Sequence, residues 1–86
     1  MPNVVVYTRD YCGFCMRAIQ LLQNKGIAFT EHNASKDRAK RAEMIERSGR
    51  STFPQVFVGD RHIGGCDDLF AAERSGMLDQ VLESAS

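Results

Sequence analysis

Two cysteines separated by two residues, Cys12 and Cys15, are the side chains of this sequence best suited to chemistry. Just before them, residues 4–7 form the apolar run of a short buried strand. After them, side chains recur at the spacing of an amphipathic helix: Cys15, Ala18, Ile19 and Leu22. We therefore expect the pair to lie where a strand is followed by a helix N-terminus, whose unpaired N–H groups and positive dipole end favour a negative charge.

A thiolate at that position would be a redox nucleophile. A free thiol with a pKa of about 8.5 is only slightly ionised at neutral pH, and a helix N-terminus lowers that value. The alternative is a zinc site, which needs four ligands and usually a second Cys or His pair. The remaining candidates, His32, His62 and Cys66, form no such pair. Thiol–disulfide chemistry is therefore favoured over zinc binding.

Size and composition predict one small globular domain spanning residues 1–86. Eleven Lys and Arg residues balance eleven Asp and Glu residues, without a long tract of one sign, so we expect no nucleic-acid partner. No apolar run approaches the roughly 20 residues of a membrane span, so no membrane is expected either. The first residues show no export signal, and three cysteines are too few for a secreted disulfide framework. A reducing, cytoplasmic setting is expected.

The first half of the chain predicts a βαβ unit. Strands are expected at residues 3–7 and 27–31, with a helix between them that starts near Cys12 and ends at Lys25-Gly26. Two strands joined by so short a helical connection pair in parallel with a right-handed crossover.

A second helix is expected from the N-cap Ser35 to Gly49, with a narrow apolar stripe of Ala39, Ala42 and Ile45. Residues 36–50 hold six basic and three acidic side chains, a net +3. They form either a solvated face or a local attraction for an anionic thiol substrate.

The second half predicts a hairpin and two short helices. Pro54 stands ahead of a strand at 55–58, and Gly59-Asp60 turns the chain into a second strand at 61–63. Helices are expected at residues 69–74 and 77–82, separated by Ser75-Gly76.

Four motifs spread along the chain resemble those of glutaredoxins in order and spacing. They are Tyr7-Thr8-Arg9, Cys12-Gly13-Phe14-Cys15, Thr52-Phe53-Pro54 and Gly64-Gly65-Cys66-Asp67-Asp68-Leu69. The chain is most similar to a small bacterial glutaredoxin of the dithiol class, within the thioredoxin superfamily. The resemblance implies an α/β thioredoxin fold, in which a four-stranded mixed sheet carries helices on both faces.

The resemblance also implies the activity, a glutathione-dependent thiol–disulfide oxidoreductase. Cys12 would be the nucleophile that carries the glutathione mixed disulfide, and Cys15 the resolving thiol. Protein disulfides and glutathionylated proteins would be substrates, and glutathione a co-substrate rather than a tightly bound cofactor. A separate reductase would regenerate glutathione, because the chain has no Gly-rich dinucleotide motif. A monomer is expected.

Further residues are implied to bind glutathione. The full set is Arg9, Phe14, Arg41, Thr52, Phe53, Pro54, Gly65, Cys66 and Asp67. Pro54 resembles the cis-proline that faces the active site, and the Phe53 backbone would pair with the cysteinyl part of glutathione.

The two ends of glutathione would be held by different groups. Gly65, Cys66 and Asp67 would take the γ-glutamyl end, with N–H groups for its carboxylate and Asp67 for its ammonium. Arg9 and Arg41 would hold the glycyl carboxylate, since a guanidinium can donate two parallel bonds to it.

The active-site loop departs from the common pattern of the family. Gly13 and Phe14 stand where Pro and Tyr are usual, and Gly-Phe is typical of the monothiol branch, which binds iron–sulfur clusters. The alternative function is therefore a dimer sharing a [2Fe–2S] cluster, with Cys12 and glutathione thiolates as ligands. Two other residues have structural alternatives: Cys66 as a small buried side chain, and His62 as a strand residue on a solvent face.

Overall fold

The computed structural model describes residues 3–84, which fold into one four-stranded sheet and four helices. The strands are β1 (Val4–Thr8), β2 (Thr30–Asn33), β3 (Gln55–Val58) and β4 (Arg61–Gly64). The helices are α1 (Gly13–Asn24), α2 (Arg38–Ser48), α3 (Cys66–Ser75) and α4 (Met77–Ser84). The ends of the expected 1–86 domain lie outside the described residues. No helix within residues 3–84 is long and apolar enough to cross a membrane.

The sheet has the order β2-β1-β3-β4 and is mixed. Strand β1 pairs in parallel with β2 and antiparallel with β3, which in turn forms the expected hairpin with β4. The prediction of a thioredoxin fold is confirmed. Because β1 is central, all five of its residues are buried.

Alternate residues of β1 face two different cores. Val4 and Val6 belong to a large apolar cluster with residues of α1, α3 and α4, among them Leu22, Leu69 and Leu78. The other members of that cluster are Ala18, Val56, Val58, Ile63, Ala72 and Val81. On the opposite face, Val5 and Tyr7 pack with Phe57 and with Met44 of α2. This alternation places α1 and α3 on one face of the sheet and α2 on the other.

The second strand starts later than the sequence predicts. It covers Thr30–Asn33 rather than 27–31, because the chain after α1 first packs against the apolar cluster through Ile27 and Phe29. The N–H of Ile27 donates to the Leu22 carbonyl oxygen at 3.0 Å, which holds this stretch on the helix end rather than in the sheet.

The prediction for α2 is wrong in two respects. Its N-cap is Asp37, whose carboxylate accepts the Lys40 N–H at 3.1 Å, whereas Ser35 accepts the Asp10 N–H. The expected stripe of Ala39, Ala42 and Ile45 is exposed, and Met44 is the buried residue of the helix. The reason is that α2 is attached to the sheet through polar side chains, Glu43 and Arg47, which bond the Tyr7 hydroxyl.

The inner face of α2 is held by polar groups around Tyr7. The Tyr7 hydroxyl donates to a carboxylate oxygen of Glu43 and accepts an N–H from Arg47 at 3.0 Å. The Arg47 guanidinium lies 4.1 Å from the centre of the Phe57 ring. Amphipathic spacing finds apolar faces, so it could not find a face built from a carboxylate and a guanidinium.

Candidate active site

The two cysteines are placed by the start of α1. Cys12 is the N-cap, and its Sγ accepts the N–H of Cys15 at 3.1 Å. The two side chains form a disulfide, with their Cα atoms 5.2 Å apart. Both residues are buried, at 6% exposure for Cys12 and 2% for Cys15. The helix N-terminus therefore meets the Cys12 sulfur, as the sequence predicts.

The residues next to the two cysteines in the chain have exposed side chains. Tyr11 is fully exposed and has a φ of 55°, and Phe14 and Met16 are 57% and 66% exposed. The guanidinium of Arg9 donates to the carbonyl oxygens of Asp10 and Tyr11 at 3.1 and 3.3 Å. Arg9 thus stabilises the conformation of the loop that precedes Cys12.

The loop ahead of β3 forms a second wall of the site. The Phe53–Pro54 peptide bond is cis, and Pro54 is buried. The Phe53 carbonyl oxygen lies 4.0 Å from the Cys12 Sγ. The loop therefore brings backbone groups next to the cysteine at the N-terminus of α1.

The start of α3 forms the third wall. The Asp68 carboxylate accepts the Gly65 N–H and a guanidinium N–H of Arg50, each at 3.0 Å. Both bonds hold the pKa of the Asp68 carboxyl below its usual value, and the bond from Arg50 has the larger effect. Gly64 has a φ of 122°, and a Cβ there would lie 2.7 Å from the Asp68 Cβ. Only glycine fits this turn without displacing Asp68.

These three walls enclose an open cleft of about 190 Å³. It is lined by Phe14, Thr52, Phe53, Pro54, Gly65, Cys66, Asp67 and Asp68. All of the residues implied to bind glutathione are among them except Arg9 and Arg41, which are exposed elsewhere. Cys66 is 7% exposed, and burial raises the pKa of its thiol. Cys66 therefore lines the cleft as a neutral thiol, which is consistent with the alternative that it is only a small buried side chain.

Comparison with known proteins decides the family. The glutaredoxin family model matches residues 4–63. Glutaredoxin 3 of Escherichia coli K12 is 51% identical over 83 residues, which cover 96% of this chain and 100% of that protein. A glutaredoxin of Pseudomonas aeruginosa is 48% identical over 84 residues, which cover 98% of this chain and 100% of that protein.

The chain belongs to the glutaredoxin family.

Solved structures agree with this assignment. The solution structure of a glutaredoxin from Brucella melitensis has a TM-score of 0.86 and 52% identity, and covers 100% of this chain and 94% of that one. A crystal structure described as a buckwheat glutaredoxin–glutathione complex has a TM-score of 0.87 and 31% identity, covering 98% and 79%. As a glutaredoxin with a Cys12–Cys15 disulfide, the protein is a thiol–disulfide oxidoreductase.

The iron–sulfur alternative is not favoured for this glutaredoxin. Cys12, its expected ligand, is paired with Cys15 in a disulfide. In the described part of the chain, no group of three or more His, Cys, Asp or Glu side chains is arranged to hold a metal ion. With Cys12 in the disulfide, the described part of the chain has no free thiol at the position expected to bind the cluster.

Two polar residues of this glutaredoxin site were not expected from the sequence. Gln55 is fully buried and donates to both the carbonyl and the hydroxyl oxygen of Thr52. His62 is half-buried rather than on a solvent face, and its Nε2 lies 2.7 Å from the Gln55 Oε1. The sequence did contain one signal, because Gln55 directly precedes the apolar run Val56-Phe57-Val58. An amide buried at the start of such a strand needs hydrogen-bond partners nearby.

Proposed function

We propose that this glutaredoxin reduces glutathione mixed disulfides and protein disulfides, with Cys12 as nucleophile and Cys15 as resolving thiol. The observation that carries the proposal is the cleft beside the Cys12 sulfur, one wall of which is the Phe53 backbone and another the N-terminus of α3. The buckwheat protein solved with glutathione shares this fold over nearly the whole chain, which supports a glutathione site here.

The reaction starts from the reduced form, with two thiols. The Cys12 thiolate attacks the glutathione sulfur of a mixed disulfide, a new sulfur–sulfur bond forms, and the substrate leaves as a thiolate that takes up a proton. A second glutathione thiolate then attacks the bound glutathione sulfur, which releases glutathione disulfide and restores the Cys12 thiolate. In the dithiol route, Cys15 instead attacks the Cys12 sulfur, which releases glutathione and closes the internal disulfide.

The local structure favours Cys12 over Cys15 as the attacking group. The Cys12 Sγ sits at the N-cap, where the Cys15 N–H already points at it at 3.1 Å. That bond and the helix dipole stabilise a thiolate more than a thiol. Cys15 lies one turn further along, on the buried side of α1 with Ala18 and Leu22. It is therefore placed to reach Cys12 rather than an external substrate.

The cleft offers complementary groups for the bound tripeptide. The Phe53 backbone can pair with the cysteinyl part of glutathione as a short added strand. The first N–H groups of α3, at Cys66 and Asp67, have no partner within the helix and suit the γ-glutamyl carboxylate. The exposed carboxylate of Asp67 suits the ammonium group of the same end.

The glycyl carboxylate is assigned to Arg9 and Arg41. Both guanidinium groups are exposed, and neither lines the cleft itself. The net +3 of residues 36–50 adds a local attraction for an anionic substrate. We also assign to the protein a monomeric state, a cytoplasmic setting and an external reductase that regenerates glutathione.

Substitution of each cysteine tests the assigned roles. With a glutathionylated peptide as substrate and glutathione as reductant, Cys12→Ser should abolish turnover. Cys15→Ser should retain much of it, but lose reduction of an intramolecular protein disulfide. Gln20→Ser, at an exposed position of α1 outside the cleft, serves as the control and should keep both activities. Equal loss in the Cys12 and Cys15 variants would contradict the proposed division of labour.

A further inference from the structure

A buried amide is hydrogen-bonded to one wall of the glutathione cleft. Gln55 is the first residue of β3 and has no exposed surface. Its Nε2 donates to the Thr52 carbonyl oxygen and to the Thr52 Oγ1, each at 3.1 Å. Both amide hydrogens are thus directed at one residue of the cleft wall, and a buried amide is costly unless such bonds are made.

The orientation of that amide is set by a second side chain. With Nε2 facing Thr52, the Gln55 Oε1 faces the Nε2 of His62 at 2.7 Å. An amide oxygen only accepts, so His62 must carry a proton on Nε2. The His62 ring is itself held against Phe57, with ring centres 4.8 Å apart and planes inclined by 28°. The three residues therefore form a directed series in which His62 donates to Gln55 and Gln55 donates to Thr52.

The consequence for the cleft follows from the planarity of the peptide group. The Thr52–Phe53 peptide is trans, so the Thr52 C=O and the Phe53 N–H lie in one plane and point in opposite directions. Gln55 holds the carbonyl oxygen toward the buried side of β3. The Phe53 N–H is thereby turned away from Gln55, and Phe53 is among the residues that line the cleft.

We infer that Gln55, oriented by His62, is a positioning residue for glutathione: it fixes the Thr52–Phe53 peptide so that the Phe53 N–H is presented to the cysteinyl part of the substrate. This inference rests on the proposed glutathione site. Between Gly49 and Pro54 the chain has no helix or strand, so no ladder of backbone bonds fixes this peptide. Neither residue touches the substrate in this arrangement, and neither is a catalytic residue.

The test compares two forms of one peptide. A single cysteine of the peptide carries either glutathione or 2-mercaptoethanol in mixed disulfide linkage. Reduced enzyme is reacted in single turnovers: Cys12 takes the small thiol, the peptide thiol is released and measured, and Cys15 then displaces the small thiol. Only the glutathione form can bond to the Phe53 N–H. The ratio of the two half-saturating concentrations therefore measures how much the cleft contributes to binding glutathione.

Gln55→Met keeps the size and shape of the side chain but removes both N–H donors. We expect the half-saturating concentration of the glutathionylated peptide to rise about fivefold, as for loss of one ordinary hydrogen bond. The maximal rate and the reaction of the mercaptoethanol form should stay within twofold. Val58→Ala, which alters the apolar end of the same strand, controls for general destabilisation and should leave the ratio unchanged.

A pair of His62 variants tests the second step without touching Gln55. His62→Phe keeps a ring against Phe57 but cannot donate to Gln55, and should raise the same concentration about twofold to threefold. His62→Gln supplies an N–H donor and should bring the half-saturating concentration of the glutathionylated peptide back toward the wild-type value. In the wild type, ¹⁵N NMR should show His62 protonated on Nε2. An unprotonated Nε2, or equal effects of the two variants, would overturn the role of His62.

The same measurements distinguish a missing glutathione site from a missing positioning role of Gln55. If the wild type does not prefer the glutathione form over the mercaptoethanol form, the proposed glutathione site is wrong. If the wild type prefers it and folded Gln55→Met keeps the full preference, the site stands and the positioning role of Gln55 is wrong.

Discussion

The two faces of the sheet are built by different physical means. The face covered by α1, α3 and α4 is an apolar cluster in which Leu22, Leu69 and Leu78 have no exposed surface. The face covered by α2 has only a small apolar group, and the helix is attached through Glu43 and Arg47 to the Tyr7 hydroxyl.

The difference shows where stability and specificity reside. Apolar burial is non-directional and roughly proportional to area, so the first face supplies most of the folding free energy. Hydrogen bonds are directional and add little net free energy each, but they fix orientation. The polar face is also the one whose Phe57 ring contacts both Arg47 and His62, next to the residues that support the cleft.

The largest expected effect comes from the apolar face. Leu22→Ala removes a fully buried side chain of α1 and should lower the free energy of unfolding by about 2–5 kcal/mol. Activity per folded molecule should be unchanged. Denaturant unfolding measures the loss, and Ile45→Ala, on the exposed side of α2, is the control and should change it by less than about 0.5 kcal/mol. Similar losses in both variants would show that α2 does bury its predicted stripe.

A smaller effect is expected on the polar face. Tyr7→Phe keeps the buried ring against Phe57, at 5.7 Å between centres, but removes the hydroxyl shared by Glu43 and Arg47. The free energy of unfolding should fall by about 1–2 kcal/mol. Tyr11→Phe is the matched control, since the Tyr11 side chain is fully exposed and should lose nothing measurable. A neutral Tyr7→Phe would mean that apolar packing alone attaches α2.

The two faces should also differ in their response to acid. The Tyr7 hydroxyl is the main cause that lowers the pKa of Glu43 from 4.5, and the Lys40 charge adds to it. A lowered pKa in the folded state gives stability that is complete above the unfolded value and is lost as pH falls through the folded value. Unfolding measured between about pH 6 and pH 3 should therefore show a shallower acid loss in Glu43→Gln than in the wild type. Leu22→Ala should keep the wild-type slope, and an equally steep Glu43→Gln would contradict the role of this carboxylate.

Much of this architecture could be predicted because it depends on apolar periodicity and turn residues. The central strand, α1 and the hairpin around Gly59-Asp60 follow from such patterns, and the structure confirms them. The placement of Cys12 at a helix N-terminus followed from the same reading, since a strand before it and a helical spacing after it leave little choice.

The remainder depends on pairings between residues distant in sequence. The inner face of α2 was missed because Glu43 and Arg47 are charged residues that become structural only when Tyr7, 36 and 40 positions away, supplies a hydroxyl. The late start of β2 depends on how Ile27 and Phe29 pack after α1. Gln55 and His62 were missed for the same reason: a hydrogen-bonded series across a hairpin leaves no periodic signal.

The ionisation of Cys12 shows whether the N-terminus of α1 activates the proposed nucleophile. In the proposed mechanism, the N-terminus of α1 makes Cys12 a thiolate near neutral pH, whereas burial raises the pKa of the Cys66 thiol. Thiolate absorbance is followed against pH in reduced Cys15→Ser, with reduced Cys12→Ser as the control. We expect an ionisation step below about pH 7 in Cys15→Ser that is missing from Cys12→Ser. If Cys15→Ser shows no step until about pH 8.5, the value of an ordinary free thiol, the helix N-terminus does not activate Cys12 and the proposed mechanism is wrong.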